Sequence, residues 1–310
     1  MTRTSGLQLL AVAVVALGTI TCGDSPVTPV NAATATHTLL TDSPFPFDRV
    51  SRVDLYVVSV SASLAADTSA AASANFVTLA SPNRRINVLA LQGGLTDELG
   101  AVNIPAGAIK AMRLVIDTDS SSITLNNGTV LTGSSTPGIH WQSSAGRPVL
   151  NATIQDQIVV PDSGATVVID YDVGNAFINP QDVNPTSTDQ GFIFSPVLRA
   201  MDKKRSASVS GVVRAHTTNG VAVANASLRL YLGNPNNPEN TWGVIATAKS
   251  SATGAFKFAY VPRSSMFSQP GFTYIVAADP PSGSGLGRQI VTNVSTTAGV
   301  ESAIGVVILP

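Results

Sequence analysis

The chain has 310 residues, of which 12% are charged and 44% are hydrophobic, and its formal net charge at pH 7 is −1. A typical soluble domain carries about 25% charged residues, so this composition disfavours long surface helices rich in Glu and Lys and favours β-sheets. The near-zero net charge excludes the basic field that nucleic-acid binding requires. The single cysteine, Cys22, excludes a disulfide within the chain.

The first 21 residues have the pattern of a signal peptide for export. Arg3 supplies the positive charge, and the apolar run Leu7–Leu17 follows it. That run is too short for a membrane span, which needs about 20 residues. Residues 22–35 are rich in Pro, Thr and Ser, lack periodicity and are expected to form a flexible tether.

Cys22 comes directly after the apolar run, in the order Thr19-Ile20-Thr21-Cys22. This segment resembles the bacterial lipobox, in which a small residue precedes a cysteine that becomes lipidated, although that motif prefers Leu where Thr19 stands and Gly, Ala or Ser where Thr21 stands. The resemblance implies a lipid anchor on Cys22 and a place in the bacterial cell envelope, at the outer membrane or the cell surface. The alternative is ordinary signal-peptide cleavage after Ala35, at Ala33-Thr34-Ala35.

Short β patterns fill residues 36–200. Asn126-Asn127-Gly128 predicts a tight hairpin turn between the runs 123–125 and 129–131. The Ala-rich stretch Leu64–Ala74 is compatible with a helical turn or a loop. The remaining predicted strands are 47–63, 75–79, 85–91, 108–117, 166–173 and 192–198.

A charged and polar stretch at 201–207 predicts a linker between two separately folding units. Beyond it, Asn219-Gly220 predicts a turn, with strands at 208–215 and 221–232. Further strands are expected at 244–249, 255–261, 273–278, 288–294 and 303–309. Seven short strands with frequent turn signals are typical of a β-sandwich. We therefore predict an all-β chain with two tandem β-sandwich-like domains, 36–200 and 208–310.

Several motifs of the first domain occur in the order found in one bacterial family. They are Leu40-Thr41-Asp42-Ser43-Pro44, Phe47-Asp48-Arg49-Val50, Ile86 to Gly94, Ile104-Pro105-Ala106-Gly107, Met112 to Asp117, Val168 to Asp172 and Phe194 to Arg199. Residues 37–200 thereby resemble the family called domain of unknown function 4382. The resemblance implies exported, lipoprotein-like proteins with a β-sandwich-like domain and no established activity.

Residues 208–310 resemble the carboxypeptidase regulatory-like, or prealbumin-like, sandwich. The segments that carry this resemblance are Val209 to Val213, Val223 to Ala226, Thr253 to Phe258 with Val261-Pro262, and Thr273 to Ala278. Such domains usually act as spacers or binding modules. The Glu-containing closing motif of related pilin-type sandwiches with isopeptide bonds is absent, so no such bond is assigned.

The carboxylates are the ambiguous chemical feature of the sequence. Asp170 and Asp172 are expected on one face of one strand, about 7 Å apart, and Asp117 and Asp119 have the same spacing. A solvated strand face or a strand-end turn is the favoured interpretation. Calcium binding through converging oxygens and a glycosidase acid/base pair are the alternatives.

No other motif points to catalysis. The histidines are scattered without metal-ligand spacing, and no nucleophile elbow or phosphate-binding loop occurs. Trp242 follows an Asn/Pro-rich loop and is a weak candidate for stacking on a sugar, with packing at a sandwich edge favoured.

The sequence therefore predicts a non-enzymatic lipoprotein of the cell envelope that serves as a binding or structural module. No cofactor and no nucleic acid are expected. The expected partners are a membrane, through the lipid anchor, and an envelope protein or a glycan. The competing hypothesis is a carbohydrate-binding or carbohydrate-active accessory protein.

Overall fold

The computed structural model describes residues 35–42, 49–65, 75–142, 146–266 and 273–310, without the side chains of 182 and 239–242. The predicted signal peptide, Cys22 and the tether lie outside these residues, as do residues 66–74 of the Ala-rich stretch. Residues from 33 onward form one compact unit. Within it, two hydrophobic cores are formed: a first β core from strands before residue 203 and a second β core from strands after 206.

The strands of the first β core alternate buried and exposed side chains over much of their length, as half-buried strands do. In chain order, β1 to β15 are Thr36–Asp42, Val50–Ser63, Phe76–Ala80, Arg84–Asn87, Asp97–Val102, Gly107–Ile109, Ala111–Leu125, Val130–Leu131, Ile139–His140, Val149–Ile154, Ile158–Val160, Thr166–Tyr171, Phe177–Ile178, Phe192–Phe194 and Leu198–Asp202.

The main sheet of the first core has the order β3-β2-β7-β10-β15-β12-β1-β5, with β4 beside β2 and β8 beside β7. Its two end strands, β3 and β5, also contact each other. Gly100 makes this approach possible, because a Cβ there would come within 3.0 Å of the Ala80 Cβ. The sheet therefore curls around one core. Leu40, Leu114 and Ile169 are fully buried in it, and each such side chain stabilises the fold by about 1.5–3 kcal/mol.

The second β core is a sandwich of two sheets, with the orders β19-β16-β22 and β18-β17-β20-β21. In chain order, β16 to β22 are Ala207–Ala215, Ser227–Asn234, Asn237–Lys249, Ala255–Val261, Thr273–Asp279, Gln289–Val294 and Glu301–Leu309. The predicted all-β class with two tandem sandwich-like parts is confirmed.

Helices are short in the described part of the chain. They are α1, Val173–Ala176, and α2, Pro180–Val183, with 3-10 turns at Val88–Gly94 and Ser264–Met266. No helix among the described residues is both long and apolar enough to cross a membrane.

Local predictions differ in their outcomes. The Asn126–Gly128 turn is confirmed: Gly128 has φ +86° and donates its N–H to the Leu125 carbonyl at 2.9 Å. The strand predicted at 85–91 is wrong beyond Asn87, because the chain turns into the 3-10 segment. The strand predicted from 221 begins at Ser227 instead.

Of the predicted linker, residues 201–202 belong to β15 and residue 207 to β16, and only residues 203–206 form a turn between these strands. Ser206 donates its backbone N–H to the Asp202 carbonyl at 3.0 Å, and its hydroxyl donates to the Lys203 carbonyl at 2.8 Å. The division of the chain at 201–207 into separately folding units stays a prediction.

Candidate functional site

The strands β15, β12 and β1 carry buried apolar side chains on both faces. One face belongs to the first β core, and the other carries Leu39, Val168 and Met201, which are at most 9% exposed. Cross-strand register brings these three side chains together, since Val168 lies opposite both others. Tyr260, in β19 of the second core, packs on this outer patch. The second β core thus contacts an apolar patch of the first, and we call this contact region the junction.

Arg199 pairs with both carboxylates that the sequence had singled out. β12 and β15 are antiparallel and place Arg199 opposite Asp170. The guanidinium donates to the Asp170 carboxylate at 3.3 Å and to the Asp172 carboxylate at 3.0 Å. The side chains of Arg199 and Asp170 are each 9% exposed, and that of Asp172 is 0% exposed. A buried guanidinium, rather than solvent, therefore faces this carboxylate pair.

Of the two favoured interpretations of this pair, the solvated strand face is wrong, whereas the strand-end position is confirmed for Asp172. The strand ends at Tyr171, and Asp172 caps helix α1 by accepting the Asn175 N–H at 3.2 Å. Asp is a preferred residue at this capping position because its side chain satisfies a helical N–H that has no partner in the helix. The two carboxylates remain close because Arg199 lies between them.

A third carboxylate, Asp42, adjoins this pair from β1. One of its oxygens accepts the Val173 N–H at 3.1 Å, and the carboxyl group is buried. Burial raises the pKa of Asp42 well above its usual value, and the nearby carboxylates of Asp170 and Asp172 raise it further. Burial therefore makes the ionised form of Asp42 less favourable in the folded protein than it is in water. We call the four side chains of Asp42, Asp170, Asp172 and Arg199 the Arg199 cluster.

The Arg199 cluster has little free space beside it. The adjoining cavity is about 10 Å³ and is lined by Thr41, Asp42, Gly94, Asp170 and Lys257, among others. This volume suits about one water molecule. Because Lys257 belongs to β19, residues of both β cores surround the cavity. The site can hold two structural parts together, but it has no room for a substrate.

Asp156 forms an ionic clamp across the junction. Its carboxylate accepts from Arg205 of the connecting turn at 3.2 Å and from Arg263 of the second core at 3.0 Å. Burial alone would raise the pKa of Asp156. The hydrogen bonds from Arg205, the Gln157 N–H and Arg263 outweigh that effect and lower this pKa. At neutral pH the carboxylate is therefore ionised and bridges both guanidinium groups.

A hydrogen bond from a side chain to the backbone completes the junction. The Tyr260 hydroxyl donates to the Gly94 carbonyl at 3.2 Å. Gly94 has φ +92°, and a Cβ there would lie 2.8 Å from the Ala259 Cβ. Only glycine meets both conditions without strain. The turn Val88–Gly94 thus approaches β19 directly.

The second pair of carboxylates, Asp117 and Asp119, is divided between two environments. Asp117 accepts the Ser120 N–H at 3.0 Å and the Arg147 guanidinium at 3.1 Å. Asp119 is exposed and lines a separate pocket beside Trp141. Within the described residues, no group of three or more His, Cys, Asp or Glu side chains is arranged to hold a metal ion.

Sequence reasoning missed Arg199, Asp42 and Asp156 as site residues. Thr41-Asp42 and Phe194 to Arg199 were noticed as motifs, but no local pattern indicated that they meet. Of the other candidates, Trp242 lies in β18 opposite Leu232, and its side chain is outside the described part. Cys22 is outside it as well.

A family model described as Domain of unknown function (DUF4382) matches residues 34–196. The chain belongs to this family. The matched segment contains three members of the Arg199 cluster and ends just before the fourth, Arg199 itself. The resemblance of residues 208–310 to a carboxypeptidase regulatory-like sandwich has no counterpart in this match and stays a prediction.

No curated protein matches the chain in sequence. Among solved structures, the Bacillus anthracis TIE protein is 6% identical, with a TM-score of 0.21; 89% of this chain is covered, and the chain spans 40% of that protein. The shaft pilin SpaA of Lactobacillus rhamnosus GG is 10% identical, with a TM-score of 0.22. The match covers 89% of this chain and 97% of the pilin. The minor pilin GBS52 of Streptococcus agalactiae is 8% identical, with a TM-score of 0.22. The match covers 89% of this chain and 70% of the pilin. Likenesses at these TM-scores carry no functional argument.

Proposed function

We propose that this chain is a non-catalytic structural or binding module of the bacterial cell envelope. Its signal peptide directs export, and a lipid on Cys22 holds it to a membrane through the tether. The two β cores stand beyond the tether as one docked body. A docked body of this kind holds its loops in fixed positions relative to one another, and loops on a rigid scaffold are a common place for binding.

The junction is the observation that carries this proposal. An apolar patch, the Asp156 clamp and the Tyr260–Gly94 contact join the two cores. Domains that close over a substrate usually move on loops or hinges, whereas here the connecting turn is itself tied to Asp156 through Arg205. These contacts support a role in which the relative position of the cores is fixed.

The state of Asp117, Asp170 and Asp172 supports the absence of catalysis at these three carboxylates. General acid–base chemistry needs a carboxyl group within reach of a substrate. Asp170 and Asp172 are both bonded to Arg199 in a space without room for a substrate, and Asp117 is paired with Arg147. These groups serve the fold, which leaves binding rather than turnover as the expected activity.

The anchor is tested by metabolic labelling with a fatty-acid analogue in a bacterial host. The wild-type chain should incorporate the label and fractionate with membranes, and Cys22→Ser should do neither. Equal labelling of both proteins would contradict the lipid anchor. Independently, a broad screen of glycoside, ester and peptide substrates with the purified chain should show no turnover. Turnover that disappears in Asp170→Asn/Asp172→Asn would overturn the non-catalytic assignment.

A further inference from the structure

A second feature of the first β core lies apart from the Arg199 cluster. It is a surface pocket with a volume of about 620 Å³, lined by residues that all fall between 118 and 146, among them Asp119, Thr132, Ser134, His140 and Trp141. Pockets for small ligands commonly measure about 300–1,000 Å³. We call it the Trp141 pocket.

One wall of the pocket is a firmly held indole. Trp141 packs edge-on against Phe194, with ring centroids 4.7 Å apart, and against Phe177 at 6.1 Å. It also lies so close to Gly133 that a Cβ at that position would come within 2.9 Å of the indole ring. The aromatic surface is therefore fixed in place before any ligand arrives.

The loop that carries the polar groups is fixed as well. Ile139 donates its N–H to the Thr132 carbonyl at 2.8 Å, and the Thr132 N–H donates to the Ser135 hydroxyl at 2.8 Å. The short strand β9 pairs with β14, and the Phe192 N–H donates to the Gly138 carbonyl at 3.0 Å. A loop closed in this way loses little conformational freedom on binding, which favours affinity.

The polar lining offers hydrogen bonds of both kinds. The hydroxyls of Thr132 and Ser134 lie 3.2 Å apart. His140 is oriented by Asp189, whose carboxylate lies 2.5 Å from the imidazole Nε2. The Gly191 N–H and His140 lower the pKa of Asp189, so its carboxylate stays ionised and keeps the ring in place. Asp119 adds an exposed carboxylate.

The charge of the lining narrows the ligand class. The described lining residues include the carboxylate of Asp119 and no Lys or Arg, so the charge of Asp119 disfavours phosphate, nucleotide and carboxylate ligands relative to neutral ones. The lining is also more polar than a lipid site allows. A ligand with many hydroxyl groups and a weakly positive C–H face fits best, because an aromatic face is electron-rich and carboxylate, imidazole and hydroxyl groups bond readily to sugar hydroxyls.

We infer that the Trp141 pocket binds a neutral saccharide of one or two rings. The sugar ring packs against Trp141, and its hydroxyls bond to Asp119, His140 and the Thr132–Ser134 loop. This inference goes beyond the proposed module function. It requires neither the lipid on Cys22 nor the junction, so its failure would leave both of those untouched.

The test uses the full chain in a detergent without a sugar headgroup. In the Trp242→Phe background, Trp141 is the only tryptophan of the chain, and its fluorescence reports on the pocket. The probes are maltose, cellobiose and N,N′-diacetylchitobiose, with glucuronic acid as the anionic comparison. We expect at least one neutral disaccharide to change the emission with a dissociation constant of about 1 mM or tighter, and glucuronic acid to have no effect.

Variants locate the binding. Asp119→Ala and His140→Ala, both at exposed side chains, should each weaken the disaccharide at least tenfold, a loss of about 1.4 kcal/mol, as expected when a charged or imidazole hydrogen-bond partner is removed. The matched control is Asp162→Ala, an exposed aspartate of another turn, which should leave the affinity unchanged.

Three results would overturn the inference. One is the absence of binding for every neutral disaccharide. Another is undiminished binding in both pocket variants. The third comes from saturation-transfer NMR: a sugar signal present with Trp242 and lost in Trp242→Phe would place the site at that other tryptophan.

Discussion

Replacing Arg199 by Met should destabilise the first β core more than any surface charge change. Met keeps an apolar stem of similar length, so the main effect is to leave Asp170 and Asp172 buried without a cation. Both carboxylates are at most 9% exposed and lose bonds of 3.3 and 3.0 Å. Removing one partner of a buried ion pair costs about 3–5 kcal/mol.

The matched control is Arg147→Met. Arg147 also bonds to an aspartate, at 3.1 Å, but its side chain is 66% exposed. Exposed pairs contribute about 0–1 kcal/mol because water replaces the lost partner. The two variants remove the same chemical group from the same kind of contact, so the difference between them measures burial.

Urea unfolding followed by the fluorescence of Trp141, in the Trp242→Phe background, measures both variants. With a slope of about 2 kcal/mol per molar, a loss of about 4 kcal/mol moves the midpoint by about 2 M. Arg147→Met should move it by less than about 0.5 M. The triple variant Arg199→Met/Asp170→Asn/Asp172→Asn, which removes the buried charges together, should recover most of the loss. Equal midpoints for the two single variants would refute the assignment of a buried, charged cluster.

Three further variants probe the junction. Asp42→Asn should be more stable than wild type at pH 7, and this advantage should vanish below about pH 4. Because the pKa of Asp42 is raised by folding, wild type loses stability as pH rises above the ordinary aspartate value of 3.8. A pH-independent difference in unfolding free energy between wild type and Asp42→Asn would contradict the raised pKa. Gly94→Ala should cost at least about 1 kcal/mol more than Gly93→Ala in thermal unfolding, because only Gly94 faces Ala259 at 2.8 Å while both have positive φ. Asp156→Ala should cost about 1–2 kcal/mol, because charge-assisted hydrogen bonds are lost while both guanidinium partners remain partly hydrated. It should also speed hydrogen exchange and proteolysis at 203–206, and unchanged protection there would count against the clamp.

Local sequence signals predicted the all-β class well. The Asn126–Gly128 turn depends only on adjacent residues, since a tight turn needs positive φ and Gly128 provides it. Alternation likewise located β7 and β12. The same rule failed at Asp172 and Val173, because Asp172 caps helix α1 through a bond to Asn175 and the strand ends two residues earlier than predicted.

The Arg199 cluster was not predictable from local patterns. Arg199 meets Asp170 only through the antiparallel register of β12 and β15, and Asp42 arrives from β1 through a parallel pairing with β12. Nothing within a short window of sequence encodes such long-range pairing. The Trp141 pocket escaped notice for another reason: its loop, residues 132–138, has no periodic pattern of apolar residues.

The polar groups of the junction have a role that apolar contacts cannot fill. Leu39, Val168 and Met201 form a patch that an apolar partner can cover in many orientations, because the hydrophobic effect has no direction. Asp156 constrains that freedom by accepting from both Arg205 and Arg263 in one geometry. Buried ion pairs often add little net stability, yet they can select one arrangement over its competitors. We therefore attribute the adhesion of the two cores to the patch and their fixed orientation to the charges. A chain that must hold the loops of its two cores in fixed relative positions needs both.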